Sequence, residues 1–198
     1  MNFKLLSGLF SAFVCFFALA DAAPAVNTGR IVVGYRVVDV DEANAWKDNG
    51  NRPLWSFKKS GSIQLGAGTY LTDINGGWPV GGSRSRYCVV TANAGEFGKL
   101  KKVWFPNMLT SKENPDMNEL AYSQCDLDRN IYDTYGLQPR ETLRVSDVLQ
   151  DVKQVLLPAE IVNATNSALD LQSMCSDTIK GVQPNVPVNF DDWGLLGK

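Results

Sequence analysis

Four short runs rich in β-branched and aromatic residues dominate this chain, and no long amphipathic helix separates them. They are IVVGYRVV (31–38), the glycine-hinged IQLGAGTYLTD (63–73), RYCVVTA (86–92) and VKQVLLPAEIV (152–162). Apolar, β-branched runs of this length read as strands. A doubly wound parallel sheet would need a long helix after each of them. Here the connections are short, or rich in glycine, proline and asparagine, as in INGGWPVGGSRS (74–85). The pattern therefore predicts a mixed α+β domain of short strands with short flanking helices.

The first strand leads into DEANAWKD (41–48), a short helix that Asp39 or Asp41 can cap and Asn49-Gly50 can end. GEFGKLKKVWFP (95–106) turns through a short helix into a strand at Lys102 to Phe105. Residues 107–140 read as loops around one short helix near MNELAYSQC (117–125), and ETLRVSDVLQ (141–150) fits strand or helix. Pro158 breaks the run at 152–162, with an edge strand expected after it. Ala168, Leu171 and Met174 have helical spacing. The Pro- and Asn-rich end, 181–198, is expected as a surface tail. GAG at 66–68 reads as a sharp turn needing positive φ, since a lone G-x-G without a following helix is weak evidence for phosphate binding.

Lys4 followed by LLSGLFSAFVCFFALA has the form of an export signal, with a small-x-small site at Ala18, Leu19 and Ala20. The expected organisation is a signal peptide over 1–20, a flexible lead over 21–30, one domain over 31–180 and then the tail. Secretion follows, with no membrane association once the leader is gone. Without Lys4 the chain carries 18 basic and 21 acidic residues, 19 minus 1 against 21. That balance gives no electrostatic reason to expect nucleic acid.

The 198 residues contain no histidine. This excludes Ser-His-Asp and Cys-His hydrolases and histidine-based zinc sites. No metal is expected, because Cys88, Cys125 and Cys175 lack ribbon spacing. In an oxidising compartment three cysteines imply one disulfide and one thiol. Cys88 lies in an apolar run and reads as a buried small hydrophobe, which leaves Cys125 with Cys175 as the preferred pair. An intermolecular bridge stays open, although a monomer is expected. Asn163-Ala-Thr is a glycosylation acceptor if exposed.

Arg36 poses the sharpest question, because a guanidinium in a buried strand needs an anion. GYRVVDVDEANAWKDNG, GTYLTDIN, RYCVVTANAGEFGKLKKVW and VKQVLLPAEIV occur in an order that resembles the ADP-ribosyltransferase fold. The resemblance is to the Arg-Ser-Glu branch typified by cholera-type and heat-labile enterotoxins, and to small secreted fungal proteins of that architecture. It implies two small packed β-sheets around a cleft that binds NAD as substrate, and a host protein as target. It implies that Arg36, with Tyr35 and Asp73 beside the cleft, holds the NAD phosphates, a task suited to a planar bidentate donor. The bland alternative is a pair between Arg36 and Asp39 or Asp73. Thr72 falls on the first hydroxyl of the family's Ser-Thr-Ser, followed here by Asp73 and Ile74. Gln154 falls on the second Glu of Glu-x-Glu, and an amide brings no negative charge to an oxocarbenium-like transition state. Losing such a group costs roughly 3 kcal/mol or more of transition-state stabilisation. The expectation is a secreted toxin- or effector-like scaffold that is catalytically weak or degenerate. The alternative is a non-catalytic virulence protein that binds a host partner through its long loops.

Overall fold

The computed structural model describes residues 29–56, 64–78, 82, 84–106 and 124–198. The predicted leader, half of the 107–140 segment and part of the 74–85 loop lie outside these residues. Among the described residues seven strands form one mixed sheet in the order β4-β5-β6-β2-β1-β3-β7. The strands are β1 Arg30–Asp39, β2 Gly68–Thr72, β3 Ser85–Asn93, β4 Lys102–Trp104, β5 Leu143–Leu149, β6 Val152–Pro158 and β7 Gln172–Ser176. Only β4 with β5 is parallel. The α+β class stands, but the expectation of two small packed sheets does not: every strand here hydrogen-bonds into a single layer.

The helices are α1 Val40–Asp48, α2 Ala94–Lys99, α3 Gln124–Tyr135 and α4 Ala159–Asn163. Asp39 caps α1 by accepting from the Glu42 N–H, and Asn93 caps α2 by accepting from Glu96. Each cap satisfies an otherwise orphaned amide. One face of the sheet presents Leu71, Cys88, Val90, Val155 and Leu157 to Trp46 of α1, Phe97 of α2, Val162 of α4 and Phe190. On the other face Tyr70 and Leu156 pack against Leu127 and Ile131 of α3. Beside them Tyr35 and Val89 pack against Val182.

Three local expectations are revised. After Pro158 the chain forms α4, not an edge strand, because Ile161 and Val162 find their burial against the sheet face. Residues 172–176 form β7, not part of a helix. Their pairing with β3 satisfies the backbone of what would otherwise be an open edge. The terminal segment is no mere surface tail. Val182 and Phe190 are fully buried, and Leu196 exchanges backbone hydrogen bonds with β4, its N–H donating to Lys102 and its carbonyl accepting from Trp104. The GAG turn does need glycine. Gly66 has φ 113°, and a Cβ on Gly68 would stand 2.1 Å from the Leu157 carbonyl oxygen of β6.

The disulfide joins Cys88 to Cys175 and leaves Cys125 exposed and free, which overturns the preferred Cys125–Cys175 pair. Cys88 and Cys175 are direct cross-strand partners on β3 and β7, with Cα atoms 4.0 Å apart. Such opposed positions bring side chains within bonding reach. The bridge closes a loop across a sequence separation of 87. Without residues 1–20, the protein should therefore give one rapidly titrating thiol with Ellman's reagent. Cys88→Ala with Cys175→Ala should lower the unfolding free energy by about 2–5 kcal/mol in urea melts.

Lys102 is 4% exposed, and its Nζ donates to the carbonyls of Phe97 at 3.0 Å and Leu100 at 2.8 Å, capping the end of α2. Burial, with a smaller push from Lys101, lowers its pKa to about 8. The unfolded chain holds this proton up to roughly pH 10.4, so it binds more protons than the folded state between those values. Stability contributed at this site must rise with pH across that window. The difference in unfolding free energy between wild type and Lys102→Met should grow in favour of wild type from pH 7.5 to 9.5. A difference independent of pH would contradict the assignment.

Candidate functional site

The strands that carry the resemblance are consecutive neighbours: β1 with Arg36, β2 with Thr72 and β6 with Gln154. Pairing sets their register. Tyr35 opposes Thr72, Thr72 opposes Gln154, and Gln154 opposes Ser146 of β5. Directly opposed residues share a face of a sheet. Tyr35, Thr72, Gln154 and Ser146 therefore form one row across four strands. Arg36 is the next residue along β1 and projects from the opposite face. Arg36 and Gln154 do not converge on one groove.

The row satisfies itself. Gln154 is 3% exposed, and its Nε2 donates to Ser146 Oγ at 3.1 Å and to Gln64 Oε1 at 2.9 Å. Thr72 Oγ1 lies 2.9 Å from the Ile74 carbonyl and 3.2 Å from that of Tyr35, so its proton serves the backbone. The Tyr35 hydroxyl donates toward the Pro184 and Val186 carbonyls and accepts from the Val186 N–H. Its pKa is raised, chiefly by burial. Tyr35 thus latches residues 184–186 onto the sheet.

Asp73 follows Thr72 at the strand end. Its carboxylate accepts from the Lys153 N–H at 3.2 Å, and burial raises its pKa despite that bond. Arg36 pairs with neither of the carboxylates expected for it. Its Nε donates to Glu42 Oε1 at 3.2 Å and its Nη1 to the Tyr70 carbonyl at 3.2 Å. Asp39 is taken up in capping α1, whose first turn then presents Glu42 to the guanidinium. The capping motif that marked the helix was the available signal for this pair: it sets the start of α1 and so the direction of Glu42.

A pocket of about 280 Å³ opens at Arg36 and Glu42, walled by Trp46, Leu54, Trp55 and Thr69. Asn163, the last residue of α4, fastens its rim. Its Oδ1 accepts from the Trp55 N–H at 3.0 Å and its Nδ2 donates to the Trp55 carbonyl at 3.3 Å. The sequon asparagine is exposed, yet both ends of its carboxamide are engaged. No group of three or more potential metal-ligating side chains occurs among the described residues. No helix among them is long and apolar enough to cross a membrane.

Fold and site together define an α+β protein with one mixed sheet, a self-satisfied polar row on one face and a small arginine-floored pocket on the other. Residues 63–198 match the model of a family of unknown function, DUF5910, and the chain belongs to that family. Comparison with curated proteins and with solved structures gives no match.

The Tyr35 latch is open to a direct check. Tyr35→Phe removes a hydroxyl that makes part-buried hydrogen bonds to the backbone of the terminal segment, each worth about 0.5–1.5 kcal/mol. Urea melts should show a loss of about 1–2 kcal/mol, and limited proteolysis should cut more readily near residues 183–187. Unchanged cleavage there would remove the latch from the account.

Proposed function

We propose that this is a secreted, non-catalytic protein on an ADP-ribosyltransferase-like scaffold, acting by binding a protein partner outside the exporting cell. Support for the scaffold comes from the adjacency of β1, β2 and β6, three segments far apart in sequence that carry the resemblance. The observation that carries the non-catalytic reading is the register that sends Arg36 and Gln154 to opposite faces. NAD glycosidic cleavage needs the pyrophosphate held and the ribose stabilised at the same moment, in one cleft. A cation and an amide separated by the thickness of a sheet do not do this. Moreover, Gln154 carries no charge, and its amide is engaged with Ser146 and Gln64.

The test is nicotinamide release from NAD by the mature protein and by Gln154→Glu. Both should stay at the uncatalysed rate, since a carboxylate restored at 154 still has Arg36 on the opposite face, while Arg144, on its own face, is tied to Leu65, Asp128 and Pro139. Turnover by the wild type would refute the proposal. Turnover by the variant alone would mean that the cleft is intact and only the charge is missing, which equally contradicts the register argument.

A further inference from the structure

The pocket beside Arg36 is left unused by that reading, and its floor has an unusual charge arrangement. The guanidinium spends Nε on Glu42 Oε1 and Nη1 on the Tyr70 carbonyl, and among the described residues Nη2 has no partner. Glu42 accepts this bond through Oε1, and among the described residues its Oε2 has no hydrogen-bond donor. Both side chains are mostly buried, 21% and 13% exposed. Around them stand the apolar walls of Trp46, Leu54 and Trp55, together with the buried Thr69.

Size and charge narrow the occupant. About 280 Å³ lies below the roughly 300–1,000 Å³ of sites that enclose drug-sized ligands. A dinucleotide does not fit, whereas a molecule of amino-acid size does. The floor is already neutral, one positive and one negative group in contact. A lone carboxylate entering would leave a net negative charge in an apolar recess, and a lone ammonium a net positive one; either is costly. A zwitterion adds no net charge and offers each floor group its complement. Its carboxylate meets the free edge of Arg36, its ammonium meets the open side of Glu42, and an apolar side chain lies against the tryptophans.

We infer that the Arg36–Glu42 pocket binds a free α-amino acid with an apolar side chain, recognised through both of its charged ends. This inference does not depend on the non-catalytic reading, because the pocket lies on the opposite face from Gln154.

The test is titration of the mature protein with L-leucine, N-acetyl-L-leucine and L-leucinamide, followed by calorimetry and by tryptophan fluorescence. L-leucine should bind saturably with Kd below about 1 mM, and each blocked derivative about tenfold or more weaker. Arg36→Gln should abolish the carboxylate preference. Glu42→Gln should abolish the penalty for acetylation, so that L-leucine and N-acetyl-L-leucine converge. Far-UV circular dichroism verifies that each variant is folded, and the ligand series on the wild type stands alone if one is not. No saturable binding of L-leucine, equal binding of the three compounds, or unchanged binding in folded Arg36→Gln would each overturn the inference.

Discussion

The register of β1 against β2 and of β2 against β6 is the constraint on which the rest depends. A strand has period two, so a shift of one residue exchanges its faces entirely. Pairing Tyr35 with Thr72, and Thr72 with Gln154, assigns the even positions of β2 and β6 to one side. Tyr70 and Leu156 then meet α3, with Thr72 and Gln154 on their side of the sheet, while Leu71, Val155 and Leu157 meet α1, α2 and α4. Arg36 goes with the second set. Slipping β1 by one residue would bring Arg36 opposite Thr72 and onto the face of Gln154, but Tyr35 would leave its three backbone partners and Val37 and Val38 would exchange environments. Burial on both faces makes that slip prohibitive.

Local signals legible in the sequence were those whose physics is local. The cap at Asp39 or Asp41, the Asn49-Gly50 stop, the strand at 86–92 and the short helix beginning near Gly95 needed only near neighbours. β7 and α4 were not legible for the same reason in reverse. The spacing of Ala168, Leu171 and Met174 fits a helix, yet β3 offers an unpaired edge that residues 172–176 fill. Residues 159–163 are short and apolar enough for either state, and the choice fell to packing against the sheet. Tertiary context overrides weak propensity in both cases.

The cysteines and the arginine teach a related lesson about partners. Cys88 was read as a buried hydrophobe because its own run is apolar, and it is buried; burial and bridging are compatible once β7 lies alongside. Arg36 does meet an anion, but neither of the two carboxylates expected for it. Asp39 and Asp73 are near in sequence or strand, but the first caps a helix and the second meets the backbone of Lys153. Glu42, one turn into α1, was the carboxylate left facing the strand.

Arg144 gives the contrasting case of a buried guanidinium spent on several segments of the fold. It is 4% exposed and sends its nitrogens to the Leu65 carbonyl at 2.6 Å, to Asp128 of α3 at 2.5 Å and to the Pro139 carbonyl. Three separate segments are tied to β5 by one planar group, a role suited to the fixed fork of arginine. Among the described residues Arg36 hydrogen-bonds Glu42 and one carbonyl, and it fronts a cavity. Two arginines on opposite faces of one sheet thus divide between them the work of holding the fold and of leaving a charged edge available. The difference lies in how many partners each finds within its own chain.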